Sequence, residues 1–397
     1  MAEKDVMHGS HAVAEAVKLC SVDVISAYPI TPQTHIVEDL AEMVANGDID
    51  AEYILVESEH SAISAGIGAS ATGARVFTAS SSQGLALMHE VLWITSGMRL
   101  PIVMVNANRA LSAPINIWND QSDSMAERDS GWLQIYVETN QEALDTVIQA
   151  YKIAENRDVL LPVMVCMDGF VLTHTVEPVE IPDSEAVSKF LPPFTPSYIL
   201  DSANPITMGS LGDPGYYMEL RRQQEDAMDK ALEAVEEVDR EFREAFGRGY
   251  GIIEEYNMEE AEVVLVTLGS VAGTIKEVMD TIGDKKVGLL KIRLFRPFPK
   301  EAVLRALARA KVVSVIEKDV STGLGEGALF SELKGILFNT SLRPGAMGFV
   351  VGLGGRDVTP ENIEEIVEMS IGALEGKEMP EVSWIGLKGE QMSITHG

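Results

Sequence analysis

Glu59 stands in the run Leu55-Val56-Glu57-Ser58-Glu59-His60, ahead of a segment from 61 to 71 made almost wholly of small and apolar residues. A helix of that composition packs close on its neighbours and leaves little water about its first turn. A carboxylate there either complements the helix dipole or sits in a dry pocket with a raised pKa, able to hold or trade a proton with a ring nitrogen. Glu57 competes for the same part. Arg109 lies in Asn106-Ala107-Asn108-Arg109-Ala110-Leu111-Ser112-Ala113-Pro114, after an apolar run in an acidic chain. That setting suits a planar fork that clamps a small carboxylate, with a surface ion pair as the plain alternative. Tyr28-Pro29-Ile30-Thr31-Pro32-Gln33-Thr34 is stiffened by two prolines, and Thr31 and Thr34 offer hydroxyls and helix capping. Ser80-Ser81-Ser82-Gln83-Gly84 gathers hydroxyl and amide groups beside a glycine, fit for an N-cap and tight turn or for polar contacts to a ligand. The polar, aromatic-bearing stretch 118–129 reads as a long loop covering a site.

The elements that must position these segments alternate. Strands are predicted at 22–28, 53–57, 76–79, 102–105 and 160–167. Helices are predicted at 34–45, 61–72, 84–97 and 141–156, with a long connection between 105 and 141. This is the pattern of an α/β unit with a mostly parallel sheet, whose functional loops lie at the carboxyl ends of the strands. Prolines crowd 176–205, which reads as an extended linker. A charged helix of about 30 residues follows, with Met228, Leu232, Val235 and Val238 on one stripe, fit for a packed spacer or a subunit contact. A second α/β unit begins near Glu262. Its predicted strands are 263–268, 287–292, 312–316 and 347–351, and its helices 274–282, 301–310 and 328–337. The domain reading is therefore 1–180, a linker and long helix over 181–255, a second domain over 256–370, and a tail over 371–397 that ends polar and irregular.

A chain of 397 residues is too long for one ordinary core. Its 31 Lys and Arg against 61 Asp and Glu leave a net charge of -30. A field of that sign repels phosphate backbones and anionic lipid, so neither nucleic acid nor a membrane is the expected partner. Cys20 and Cys166 are the only cysteines, which excludes a disulfide framework and any four-cysteine cluster or zinc site built from this chain alone. The N-terminal residues lack a signal-peptide apolar core, and a cytoplasmic protein is expected. Gly323-Leu324-Gly325-Glu326-Gly327 and Gly352-Leu353-Gly354-Gly355 are glycine-rich but miss the dinucleotide fingerprint, which disfavours a self-contained NAD-dependent oxidoreductase. The seven histidines show no metal-ligand spacing, so no metal ligand is expected in this chain.

The four segments, taken in order with the sequences NIWNDQSDS, GSLGDPGYY, KIRLFRPFP and GLGGRDV, are recognisable. Over nearly its whole length the chain resembles the alpha subunits of multi-subunit pyruvate:ferredoxin oxidoreductases, within the 2-oxoacid:ferredoxin oxidoreductase family. The resemblance implies an α/β fold: a thiamine-diphosphate-binding, pyrimidine-type domain with a parallel sheet, plus a transketolase C-terminal-like α/β domain. It implies that Glu59 hydrogen-bonds the aminopyrimidine ring and promotes its imino form, with Tyr28, Pro29, Ser82 and Gln83 also lining the cofactor. Thr31 and Arg109 match residues that hold the substrate carboxylate. Thiamine diphosphate enzymes of this kind also carry a GDG segment followed by Asn for Mg²⁺ and the diphosphate; Gly212-Asp213-Pro214 lacks the second glycine. The cofactor is thus expected to be shared with a beta subunit that brings Mg²⁺ and a [4Fe–4S] cluster. A delta subunit would carry two more clusters, a gamma subunit would assist coenzyme A, and ferredoxin would accept electrons. The implied reaction turns pyruvate and CoA into acetyl-CoA and CO₂, reversibly. The same chemistry on 2-oxoisovalerate or another 2-oxoacid, and a non-catalytic scaffold subunit, are the alternatives.

Overall fold

Apolar runs such as 103–105 and 163–167 fit a strand covered on both faces, and both lie wholly out of water in the computed structural model, which describes residues 3–284 and 286–389. The first part of the chain runs β1 (Glu3–His8), α1 (Gly9–Leu19), β2 (Val24–Ala27), α2 (Thr34–Asn46), β3 (Glu52–Leu55), α3 (Glu59–Ala71), β4 (Val76–Ser80), α4 (Ser82–Gly97), β5 (Val103–Asn108), α5 (Ser122–Ala126), β6 (Leu133–Tyr136), α6 (Asn140–Ala154), β7 (Val163–Asp168) and β8 (Val176–Ile181). Then come α7 (Ser184–Phe190) and α8 (Tyr217–Phe246). The remainder is β9 (Ile253–Tyr256), β10 (Val263–Thr267), α9 (Val271–Ile282), β11 (Val287–Ile292), β12 (Leu294–Arg296), α10 (Lys300–Ala306), β13 (Val312–Glu317), α11 (Ala328–Phe338), β14 (Gly345–Val350), α12 (Pro360–Leu374) and β15 (Val382–Trp384).

The first sheet has the order β12-β6-β7-β5-β4-β2-β3, parallel except for β12. The second has the order β15-β14-β13-β10-β11-β9, parallel except for β9. The chain leaves β2 for β3 on one side and returns to β4 on the other, so the topological switch lies between β2 and β4, where ligands of such sheets bind. Helices α1, α2, α6 and α8 cover one face of the first sheet around a single apolar cluster. On the other face α3 and α4 share a cluster with β10, β11, β13 and α11 of the second part, through Trp132, Tyr136, Phe295 and Leu329. The two α/β units are therefore fused by a common core.

Several expectations need correction. The long connection from 105 to 141 contains α5 and strand β6. Its four residues are too few for a readable period, and the strand is recognised by burial alone. The linker read at 176–205 begins as β8, which pairs antiparallel with the N-terminal β1 as a separate ribbon; Pro178 is tolerated because the ribbon has free edges. Strand β12 leaves the second part and pairs with β6 of the first sheet. The tail expected to end irregular supplies edge strand β15 beside β14, while residues 390–397 fall outside those described. Helix α8 is a packed spacer on α6 and α7: Ala227, Ala231, Ala234, Val235, Val238 and Phe242 are buried, whereas Met228 and Leu232 of the expected stripe are half-buried.

Charge also crosses between the two parts. Arg293, wholly buried, donates to Glu142, Thr146 and Gln149 of α6 and to the Gly251 carbonyl. Lys291 beside it meets Glu138, Glu142 and Glu254 at 2.7–3.0 Å. Removing one partner from such a cluster leaves the other's charge without compensation. Arg293→Met is expected to lower stability by about 3–5 kcal/mol, read as a lower urea midpoint. Lys189→Ala, which breaks the exposed Lys189–Glu185 pair on α7, should move it by less than about 1 kcal/mol.

Candidate active site

The loops after β2, β4 and β5 meet at the switch point, joined by Gln33. Its side chain donates to the Ala79 carbonyl at 3.0 Å and accepts from the Ile30 N–H at 3.1 Å, tying the Tyr28–Thr34 loop to the end of β4. Tyr28 on that loop is half-buried, while Pro29 and Thr31 are exposed. The Thr31 hydroxyl has no hydrogen-bond partner among the described residues.

Glu59 opens α3, but the cap is its neighbour. The Ser58 hydroxyl accepts the Ser61 N–H, so the helix end does not need the Glu59 carboxylate. Glu59 is 7% exposed, and among the described residues its carboxylate has no hydrogen bond or ion pair. It lies against the first turn of α4: a Cβ on Gly84 would stand 2.6 Å from Glu59 Oε1 and 2.8 Å from Ser80 Oγ. Only glycine leaves the carboxylate that place. The Ser80 hydroxyl beside it is buried with no partner. Glu57, the rival carboxylate, is exposed and accepts from the Ser61 hydroxyl.

Arg109, 8% exposed, follows the last residue of β5. Its Nε donates to the Asn116 carbonyl at 2.6 Å and Nη1 to the Thr31 carbonyl at 3.0 Å. The guanidinium is thus held by two backbone oxygens beside Thr31, and Nη2 has no partner among the described residues. Burial pulls its pKa down, with Asp123 opposing the shift. A half-committed guanidinium next to a free hydroxyl can grip a small carboxylate.

Ser82 is turned inward. Its hydroxyl donates to the Ala110 carbonyl at 2.6 Å and its N–H to Asp123 at 2.8 Å, with the backbone held at a φ of 49°. Gln83 is exposed and donates to the Ser112 carbonyl. Both residues therefore shape the turn that carries Gly84.

Reading the residues had left Asp123, Gln33 and the pair Asn106 and Asn108 without roles, although two asparagines spaced by two at the end of an apolar strand are a usable sign of buried polar function. Asp123 is wholly enclosed and accepts from Asn106, Asn108 and the backbone of Ser82 and Arg109. Burial pushes its carboxyl up to about 6. The stretch 109–129 covers this region and is pinned to the second part of the chain. Asn116 donates to the Gly354 carbonyl, the Gly354 N–H donates to Asp120, and Gln121 N–H donates to the Lys318 carbonyl, at 2.8–3.1 Å. Gly354 and Gly355 have φ of 61° and 82° and lie under Asn116 and Trp118, so this glycine run seats the cover. Asp168 at the end of β7 receives Lys318, Asn119, Gln121 and Ser270; burial pushes its carboxyl up, but Lys318 and these donors outweigh that and the net shift is down. Among the described residues no group of three or more His, Cys, Asp or Glu is placed to hold a metal ion, and no helix is long and apolar enough to cross a membrane.

Comparison with known proteins gives this geometry its setting. Residues 15–240 match the family described as pyruvate flavodoxin/ferredoxin oxidoreductase, thiamine diP-binding, and residues 261–363 match pyruvate:ferredoxin oxidoreductase core domain II. Pyruvate synthase subunit PorA of Methanocaldococcus jannaschii is 58% identical, with 98% of this chain and 99% of that protein covered. PorA of Methanothermobacter thermautotrophicus is 56% identical over 97% and 98%. Ketoisovalerate oxidoreductase subunit VorA of Pyrococcus horikoshii is 48% identical over 97% and 98%. Among solved structures, 2-oxoglutarate:ferredoxin oxidoreductase from Magnetococcus marinus, with 2-oxoglutarate, coenzyme A and succinyl-CoA bound, superposes with a TM-score of 0.74 at 22% identity, covering 93% of this chain and 65% of that one. A split-gene transketolase, in an inactive beta4 tetramer, gives 0.54 at 11% identity, covering 92% and 98%. The architecture is that of thiamine diphosphate enzymes, a pyrimidine-type α/β domain followed by a transketolase C-terminal-like one. With over half of its length matched by the first family and relatives above 50% identity spanning it, the chain belongs to the pyruvate flavodoxin/ferredoxin oxidoreductase family.

Proposed function

We propose that this chain is the alpha subunit of a pyruvate:ferredoxin oxidoreductase, and that it supplies the pyrimidine side and the substrate clamp of an active site completed by partner subunits. The reaction is pyruvate, CoA and two oxidised ferredoxins giving acetyl-CoA, CO₂ and two reduced ferredoxins, in either direction. The observation that carries the reading is the Glu59 carboxylate, buried without a partner against the one position, Gly84, where a side chain would displace it. A carboxylate left so waits for a donor from a ligand, because a buried acceptor without a partner is unfavourable.

The residues present fit thiamine diphosphate. Glu59 would meet a ring nitrogen of the aminopyrimidine, with the unpartnered Ser80 hydroxyl and the Gly84 cradle leaving space for the ring edge. Tyr28 and Pro29 would form a wall, while Ser82 and Gln83 would hold the turn behind it. When bound, the cofactor supplies a nucleophilic carbon and an electron sink for decarboxylation. Arg109 Nη2 and the Thr31 hydroxyl would take the pyruvate carboxylate and fix the keto carbon for attack. The cover from 109 to 129 would keep water from the reacting groups.

In this reading a beta subunit brings the diphosphate site, Mg²⁺ and a [4Fe–4S] cluster, a delta subunit brings two further clusters, a gamma subunit assists CoA, and the complex works in the cytoplasm. The chain has two cysteines, both buried, and cannot ligate a four-cysteine cluster alone. Its surface supports a large partner: Leu87 and Ile94 stand exposed on α4, and Leu211 (97% exposed), Tyr216, Met218 and Leu220 stand exposed at the start of α8, which packs on α4. Large apolar side chains gathered in water mark an interface. Pyruvate is favoured over 2-oxoisovalerate by relatives at 58% and 56% identity against 48%.

The test is pyruvate- and CoA-dependent reduction of a low-potential acceptor by the purified complex, with 2-oxoisovalerate and 2-oxoglutarate alongside. Activity chiefly with pyruvate is expected. A preference for another 2-oxoacid would move the substrate, and no activity in a cofactor-replete complex would end the reading. Glu59→Gln is expected to lower kcat by about 10²–10⁴-fold with assembly and cluster content unchanged; full turnover in that variant would favour the scaffold alternative. Gly84→Ala should follow it in direction, since the added methyl displaces the same carboxylate. Arg109→Ala should raise the pyruvate KM by about 10–100-fold, the size of a lost charge-assisted hydrogen bond.

A further inference from the structure

Asp123 lies on α5, within the cover, and is assigned to neither of the ligands named above. It is 1% exposed, and among the described residues no salt bridge reaches its carboxylate. Five N–H donors hold it instead. Oδ2 accepts from Ser82 N at 2.8 Å, Arg109 N at 3.0 Å and Asn106 Nδ2 at 3.1 Å; Oδ1 accepts from Asn108 Nδ2 and Ser124 N, both at 2.8 Å.

The donors are not scattered. Ser82 heads the turn that presents Gly84, the cradle of Glu59. Asn106, Asn108 and Arg109 form the end of β5 and the root of the clamp. One oxygen atom therefore joins the backbone that positions the proton-handling carboxylate to the backbone that positions the guanidinium. Ser82 is held there at a positive φ of 49°, a region a serine leaves unless neighbours retain it. Besides a local contact to the Gln83 side chain, its bonds go to Asp123 and to the carbonyl of Ala110, the residue after Arg109. The Arg109 side chain, in turn, reaches Thr31 only if its backbone is in register.

We propose that Asp123 is a positioning residue: its carboxylate sets the distance between the Arg109 clamp and the Glu59 wall, and so the grip on the substrate carboxylate. The inference rests on the function proposed above and names a group that acts on the substrate through the placing of Arg109 relative to Glu59.

The test is a double-mutant cycle on the assembled complex with Asp123→Asn and Arg109→Ala. The asparagine keeps the shape of the side chain but replaces one accepting oxygen with N–H₂, so either Asn108 and Ser124 or Ser82, Asn106 and Arg109 lose their acceptor, and the turn at 108–109 that carries the clamp shifts. Asp123→Asn is expected to raise the pyruvate KM by about 10-fold or more, in keeping with the effect of small misplacements at a clamp. Thiamine diphosphate affinity, measured by titrating the apo complex, should change by less than about 3-fold, since Glu59 itself is untouched. In the Arg109→Ala background the same substitution should leave KM where Arg109→Ala alone puts it, because residues acting as one unit are not additive.

A normal KM in the assembled Asp123→Asn complex overturns the proposal, and so do additive effects in the cycle, which would mean a purely structural role. Should Asp123→Asn fail to assemble, Asn106→Ala removes one donor from Oδ2 and leaves both backbone amides in place. A rise in KM of about 2–3-fold is then expected, and an unchanged KM overturns the inference. Loss of the proposed function itself would be visible separately, as a wild-type complex inactive on pyruvate.

Discussion

Backbone and side-chain amides at the carboxyl edge of β2, β4 and β5 lie out of water, and each must find an acceptor inside the protein. Asp123 answers five of them and Gln33 spans two loops. Because a parallel sheet puts its strand ends on one edge, satisfying those groups draws these three loops together. Thr31 and Arg109 meet as a consequence, and Glu59 lies against Gly84 and Ser80. Among the described residues the Glu59 carboxylate, the Ser80 and Thr31 hydroxyls and Arg109 Nη2 remain without partners, as do the side-chain oxygens of Asn106 and Asn108 behind them. The first four are the ones a ligand would complete.

The use of cations is the second organising fact. A chain with 31 Lys and Arg against 61 Asp and Glu places Arg75, Arg109, Lys291, Arg293 and Lys318 out of water. Arg75 grips Glu155 and the carbonyls of Cys20 and Pro192. Lys291 and Arg293 join β11 to α6, and Lys318 reaches Asp168 at the end of β7. A buried pair of this kind costs desolvation, but removing one partner leaves the other uncompensated. Here it sets how the second α/β part seats the cover over the first, so the part of the chain without site residues still controls the site's geometry.

Several features were legible in the residues. The alternation of fully apolar runs with helical segments identified both parallel sheets. Small residues from 61 to 71 announced a tightly packed helix with a carboxylate at its start. Other features were not legible, each for a physical reason. Strand β6 is four residues long and shows no period. Strands β12 and β15 exist only because a distant strand offers a free edge. The choice between Glu57 and Glu59 could not be made along the chain, since it depends on which of two nearby carboxylates faces the first turn of α4.

The sequence by itself determined the class of fold, the acidic surface, the lack of cysteines for clusters and the four segments with chemistry in them. These follow from composition and local period, which are properties of neighbours in the chain. Tertiary structure alone decided that Ser58 caps α3 and frees Glu59, that Gly84 is empty because a carboxylate needs the space, and that the glycines at 352–355 seat a cover. It also decided that Asp123 ties two loops through a single oxygen. Those facts depend on contacts between residues far apart in sequence, and a hydrogen bond or a steric gap has no local signature until both partners are in place.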